Sequence, residues 1–145
     1  MTGFLNFFKG IPSFFSLSLL SGVLVGTSYI PFNGWALLFC YIPLWVGTLS
    51  LHREKRSFKK IFFAGWITQF VLTLIGFNWI YYVASEFGHL HWSLSLAAQL
   101  LFAAGMHIYI PFSLVLGGWL IRRFNITRVY VQFLLLALTL ALLER

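Results

Sequence analysis

The stretch from Ile61 to Ser93, IFFAGWITQFVLTLIGFNWIYYVASEFGHLHWS, is a long apolar run that leads into a short aromatic loop. No charged side chain occurs between Ile61 and Val83. As a helix rising about 1.5 Å per residue, that part is about 35 Å long, enough to cross a hydrocarbon core of about 30 Å with some tilt. The sequence therefore predicts a membrane-spanning helix over residues 61–83.

The charges on the two sides of this run are asymmetric. Five of the nine residues at 52–60 are Lys or Arg, whereas residues 84–95 contain neither. Basic loops stay in the cytoplasm, and Trp and Tyr gather at membrane interfaces. Lys9 and the second basic loop, at 122–128, fall on the same side as the first. The N-terminus is therefore predicted to be cytoplasmic, with the aromatic loop on the opposite side.

Composition supports a membrane protein. Hydrophobic residues make up 60% of the 145 and charged residues only 9%, against about 25% charged in soluble domains. A net charge of +7 could indicate nucleic-acid binding, but seven of the ten basic residues lie at 53–60 and 122–123, in two short loops between apolar runs. Membrane topology explains those loops, so no nucleic-acid partner is predicted. The single cysteine, Cys40, excludes an internal disulfide and a cysteine-based metal cluster.

The apolar runs predict an all-α, polytopic transmembrane bundle that forms a single domain over residues 1–145. About five spans are expected, at residues 11–29, 35–51, 61–83, 96–121 and 129–145. An uncleaved first helix is favoured over a signal peptide because no A-x-A-like site follows the first run. From Val129 to Leu143 the last run is only about 22 Å long as a helix, so we expect the chain to stop before its natural partner sequence.

Two stripes of small and polar residues are expected to be helix-packing faces, since small side chains let backbones approach closely in a membrane. Packing explains the second stripe better than a substrate path does. Pro43, inside the second predicted span, is expected to kink its helix or to leave a carbonyl for a neighbour to satisfy. The first stripe contains Ser18, Gly22 and Gly26, and the second contains Gly65, Gln69, Thr73 and Gly76.

Few residues suggest chemistry. The three carboxylates, Glu54, Glu86 and Glu144, are far apart in sequence and indicate no acid–base pair. His89 and His91 alternate in a loop, but two ligands without a third are a weak metal signal. His107, inside a span, is expected to be a neutral imidazole bonded to a neighbouring helix. No catalytic residue, metal site or cofactor is predicted.

Two motifs resemble those of a known family, the bacterial apolipoprotein N-acyltransferases. The run Gly76-Phe77-Asn78-Trp79-Ile80-Tyr81, followed by Phe87-Gly88, resembles the family's G-x-N-W-[VI]-Y…F-G segment. Pro31-Phe32 and Trp35 are similar to its P-[FY]-x-x-W turn after the first helix. The family often has Gly where His89 stands.

The resemblance implies an enzyme of the bacterial inner (cytoplasmic) membrane, with several spans. Such an enzyme moves an acyl chain from a membrane phospholipid to the α-amino group of a lipoprotein's lipidated N-terminal cysteine. In that family the chemistry belongs to a periplasmic nitrilase-like domain with a Glu-Lys-Cys triad, which these 145 residues do not contain. The chain is thus expected to be the membrane part alone, inactive without that domain, which would lie downstream or in a separate chain.

The resemblance also implies a substrate- and lipid-facing rim at the outer end of the third span. Trp79 and Tyr81 would pack against acyl or glyceryl groups, and Asn78 would hydrogen-bond locally. An interfacial anchor or helix cap is an equally good explanation for each rim residue. For the whole chain the alternative is a small non-enzymatic membrane protein that binds lipid or a partner protein; a transporter is less favoured. The expected rim comprises Asn78, Trp79, Tyr81, Glu86, Phe87 and Gly88, and the turn motif comprises Pro31, Phe32 and Trp35.

Overall fold

The computed structural model describes residues 14–28, 34, 36, 38–53 and 57–145. This part of the chain is all-α and contains no strand, which confirms that the fold is helical, as predicted. A π-helical turn, Val83–Phe87, lies between the fourth and fifth helices. The helices are α1 (Phe14–Gly26), α2 (Ile42–Arg53), α3 (Phe58–Gly76), α4 (Trp79–Tyr82), α5 (Trp92–Gly105), α6 (Tyr109–Arg123) and α7 (Val129–Leu143).

Two helical segments are long and apolar enough to cross a membrane. They are α3, with 19 residues, and the rod Trp92–Arg123, with 32 residues, which joins α5 to α6. The helices α1 and α7 are also apolar but shorter. These lengths support a membrane protein, since about 20 apolar residues are needed for one crossing.

The first stripe of small residues packs α1 against α3, as predicted. A Cβ atom on Gly22 would lie 2.8 Å from the Cβ of Val71 and 2.9 Å from the carbonyl oxygen of Thr68. The Thr68 hydroxyl also donates a hydrogen bond to the carbonyl of Ser18, at 2.9 Å. Only glycine permits this close approach, in which direct packing and interhelical hydrogen bonds hold the helices together.

The second stripe packs α3 against the rod of α5 and α6. A Cβ atom on Gly65 would lie 2.6 Å from the Cα of Pro111. Gln69 donates from Nε2 to the carbonyl of Ala104 at 2.8 Å, and the Thr73 hydroxyl bonds Nδ1 of His107 at 2.9 Å. The predictions that this stripe is a packing face and that His107 bonds a neighbouring helix are confirmed.

The third helix is shorter than the apolar run that contains it. It begins at Phe58, where the Ser57 side chain caps it, and ends at Gly76. Phe77 leaves helical geometry (φ −118°, ψ 27°), and its ring packs 5.1 Å from the ring of His107. The helix is therefore interrupted before residue 83, although hydropathy continues unbroken.

The two prolines in the described part of the chain begin helices rather than bend them. Pro43 is the second residue of α2 and Pro111 the third residue of α6. A proline is tolerated in the first turn because the N–H that it lacks would have no intrahelical partner there. The predicted kink at Pro43 is therefore wrong.

The bundle has two chemically different ends. At one end α2 finishes near the start of α3, and Arg122 at the end of α6 donates from Nε to Nδ1 of His52 at 3.2 Å. Arg53, Arg123 and Arg128 belong to the same end. The other end holds α4, the π-helical turn and the start of α5. The basic residues and the aromatic loop, which lie on opposite sides of the apolar run in the sequence, thus also lie at opposite ends of the bundle.

Candidate functional site

The candidate site is the aromatic rim, defined here as residues 78–92, from α4 to the first residue of α5. Asn78 precedes α4 with helical backbone angles, and its carbonyl accepts a hydrogen bond from the N–H of Tyr81 at 3.2 Å. Its side chain is exposed and makes no capping hydrogen bond. The local hydrogen bond expected of Asn78 therefore comes from its backbone, and the amide group faces outward.

A π-helical turn shapes the middle of the rim. The N–H of Gly88 donates to the carbonyl of Val83 at 3.0 Å, and that of Leu90 to the carbonyl of Ala84 at 3.1 Å. A Cβ atom on Gly88 would lie only 2.7 Å from the Ala84 oxygen, so this turn requires glycine. The π-helix is rare, and single π-helical turns are frequently found at functional sites.

The backbone conformation at His89 bears on one difference between this sequence and the family motif. Its φ is 50°, in the left-handed region that glycine enters without a steric cost. The glycine that the family often has at this position therefore suits the backbone better than the histidine does. This observation supports the motif resemblance, since the same chain path accounts for both residues.

The rim exposes large apolar side chains. Phe87 is 81% exposed and Trp79 51% exposed, and Tyr82 and Trp92 are also exposed. Glu86 lies beside Phe87 and is exposed as well. Tyr81 is half-buried, with its ring edge-on to that of Tyr82 at 5.8 Å. The predicted rim residues thus lie together on one segment, and all of them except Tyr81 are open to their surroundings.

Phe77, which was not among the predicted site residues, connects the rim to the bundle core. Its ring lies 6.0 Å from that of Phe102 on α5, 5.1 Å from that of His107 and 6.5 Å from that of Trp79. His107 in turn bonds Thr73 on α3. The only sequence signal for this role is the position of Phe77 inside the motif, between Gly76 and Asn78.

His91 of the rim has a structural role, which is to cap a helix. Nδ1 of His91 lies 2.9 Å from the hydroxyl of Ser93, and the side chain caps the start of α5. Among the described residues, no group of three or more His, Cys, Asp or Glu side chains could hold a metal ion. Cys40 is buried in the hydrophobic core. What the described rim offers is an exposed aromatic contact surface.

The turn motif lies outside the described residues. Pro31, Phe32 and Trp35 belong to the segments that the structure does not describe. Their assignment as a turn after the first helix stays a prediction.

Comparison with known proteins supports the motif resemblance. The sequence model of the apolipoprotein N-acyltransferase N-terminal domain matches residues 21–145. A relative called apolipoprotein N-acyltransferase, from Bdellovibrio bacteriovorus, is 52% identical over 145 residues, which is 100% of this chain and 26% of that protein. No solved structure matches. The chain spans about a quarter of the relative's length. It belongs to the apolipoprotein N-acyltransferase family and matches the N-terminal domain of that family.

Proposed function

We propose that this chain is the membrane domain of an enzyme that acylates lipoproteins. The enzyme would transfer an acyl chain from a phospholipid to the α-amino group of a lipoprotein's lipidated N-terminal cysteine. The domain would cross the bacterial inner membrane about five times, with its N-terminus in the cytoplasm. Family membership supports the reaction class, and the apolar helices support the location.

The observation that carries this proposal is the exposed aromatic rim at the end of the bundle opposite the basic residues. The basic end would face the cytoplasm, because Lys and Arg are retained there. The rim would then lie at the periplasmic interface, where the acceptor lipoprotein and the donor phospholipid both have their headgroups. Phe87 and Trp79 are exposed enough to contact either substrate.

The covalent steps would belong to a nitrilase-like domain with a Glu-Lys-Cys triad, in further sequence of the same protein or in a separate chain. A thiolate there would attack an ester of the phospholipid and release a lysophospholipid, and the lipoprotein amine would then take the acyl group from the thioester and free the thiol. The membrane domain would contribute by holding both lipid substrates close to that thiolate. This positioning makes a bimolecular reaction effectively unimolecular. The rim would thus bind and orient rather than react.

The experiment is an acyl-transfer assay with phospholipid and a diacylated lipopeptide, using the protein together with its nitrilase-like domain. Phe87→Ala removes the most exposed ring of the rim. Fully burying a Phe side chain contributes about 1.5–3 kcal/mol, so we expect kcat/KM to fall about 10- to 100-fold. The matched control is Phe124→Ala, which removes a ring that is 69% exposed at the basic end.

The control should keep kcat/KM within about twofold of wild type, since it lies far from the rim. Equal losses in the two variants would contradict a specific role for the rim. Full activity in Phe87→Ala, with unchanged folding, would reduce the rim to a membrane anchor. Lipid or partner binding with no acyl transfer by the complete protein would favour the non-enzymatic alternative.

A further inference from the structure

A second candidate binding site lies at the basic end, away from the rim. It is a cleft of about 540 Å³ between the ends of α2 and α6 and the start of α7. That volume is within the range of about 300–1,000 Å³ typical of ligand pockets. Its polar lining includes His52, Arg53, Arg122, Asn125, Thr127 and Gln132. None of these side chains carries a negative charge, so the lining favours an anionic ligand.

Arg122 is held in a defined position inside this lining. Its Nε donates to Nδ1 of His52 at 3.2 Å, and its guanidinium carbon lies 4.3 Å from the centre of the Phe58 ring. Burial, together with the charges of Arg122 and Arg53, lowers the pKa of His52, which lies beyond the predicted span at 35–51. The neutral imidazole therefore accepts from Arg122 through Nδ1 and presents Nε2–H as a further donor.

The loop on the other side of the cleft is held by its own hydrogen bonds. Asn125 has a φ of 48°, and the N–H of Ile126 donates to the carbonyl of Ile121 at 3.1 Å. Gln132, only 6% exposed, donates from Nε2 to the carbonyl of Ile126 at 2.6 Å. Its other amide atom, Oε1, is buried and has no partner among the described residues. A buried acceptor without a donor is costly, particularly in a membrane protein.

We propose that this cleft binds the phosphoglycerol headgroup of an anionic phospholipid from the adjacent leaflet. The phosphate would accept hydrogen bonds from Arg53 and Arg122, because guanidinium groups pair well with phosphate oxygens. The glycerol hydroxyl of the headgroup would donate to Oε1 of Gln132, which the phosphodiester group by itself cannot do because it carries no proton. Phe124, exposed beside the cleft, supports a lipid as the source rather than a free phosphate, since aromatic rings settle at the membrane interface.

The site lies at the opposite end of the bundle from the rim, so the proposal does not depend on acyl transfer. The ligand would join the ends of three helices, α2, α6 and α7. Its binding would therefore stabilise the folded bundle, by an amount that rises with the logarithm of the lipid concentration once the site is largely occupied.

The test is lipid binding to the purified full chain in detergent, measured by native mass spectrometry with phosphatidylglycerol. Arg53→Gln removes an exposed cation of the cleft without touching the His52–Arg122 contact. We expect this variant to bind about tenfold more weakly, as the loss of one charge-assisted pair predicts. The matched control is Arg123→Gln, which makes the same charge change one residue beyond Arg122 and outside the lining. It should bind within about twofold of wild type.

Two further binding experiments distinguish the lipid headgroup from other anionic ligands. Gln132→Leu should weaken phosphatidylglycerol binding but not phosphatidylmethanol binding, since the latter is a phosphodiester whose headgroup has no hydroxyl. Inorganic phosphate should not compete with the lipid at similar concentrations. Equal losses in Arg53→Gln and Arg123→Gln would overturn the proposal in favour of a diffuse charge effect. Effective competition by phosphate would replace the lipid with a free anion, and phosphatidylcholine binding as tight as phosphatidylglycerol binding would also overturn it.

Discussion

Gly65 provides the sharpest test of how the bundle is packed. It lies on α3 where α6 crosses closest, and a Cβ atom there would lie 2.6 Å from the Cα and 3.0 Å from the N of Pro111. Both are backbone atoms, so no side-chain rotation can make room. Carbon atoms pack at about 3.5–4.0 Å, so Gly65→Ala must push the two helices apart by about 1 Å.

The expected cost follows from comparison with a second glycine. Forcing an extra methyl group into a packed interior costs about 1–3 kcal/mol, and replacing a helical glycine by alanine returns about 1 kcal/mol. Gly118, buried on α6, has only ordinary contacts for a Cβ, the nearest being 3.6 Å from Ile61 Cδ1. Gly118→Ala therefore gains the propensity term without the clash, and it should be about 1–3 kcal/mol more stable than Gly65→Ala.

The assay is reversible unfolding of each variant in mixed detergent micelles, with the loss of helical circular dichroism as the signal. The comparison of the two alanine variants cancels the change in helix propensity. The difference between their free energies of unfolding therefore reports the α3–α6 contact. If Gly65→Ala unfolds at the same denaturant concentration as Gly118→Ala, or at a higher one, the close helix crossing is refuted.

Three further predictions concern the rim, the bundle core and the basic end. Gly88→Ala should lower acyl-transfer activity and perturb tryptophan fluorescence, because its Cβ would strike the Ala84 oxygen. Thr73→Val should lower the free energy of unfolding by about 1–3 kcal/mol, because it leaves His107 without its buried partner. The pKa of His52 is lowered by burial and nearby arginines. Its unfolded form protonates near pH 6.5, so stability should fall as the pH drops below that value, and His52→Gln should flatten this part of the pH profile.

Spacing in the sequence predicted the packing faces well. Gly22 and Gly65 were expected at close crossings because they recur with other small residues on one helix face. At both positions an added methyl group would lie within 3 Å of an atom of the facing helix. The rim segment could also be located, since the aromatic residues after the apolar run follow a recognisable motif. Periodicity and motif carry this information because each depends on a short stretch of chain.

The features that sequence could not show depend on contacts between distant residues. The end of α3 at Gly76 is invisible to hydropathy, because the run stays apolar through the break at Phe77, where the ring packs on that of His107. The π-helical turn depends on how closely Gly88 approaches Ala84. The pair of His52 and Arg122 joins residues 70 positions apart, so no local pattern indicates the cleft that they line.

The orientation of the two ends is the central claim, and cysteine labelling in intact cells tests it most directly. With Cys40 replaced by alanine, single cysteines are introduced as Ser93→Cys at the start of α5 and Thr127→Cys at the basic end, both exposed positions. A membrane-impermeant maleimide should label Ser93→Cys from the periplasm and Thr127→Cys only after the inner membrane is permeabilised. Labelling of both positions under the same condition would contradict the account.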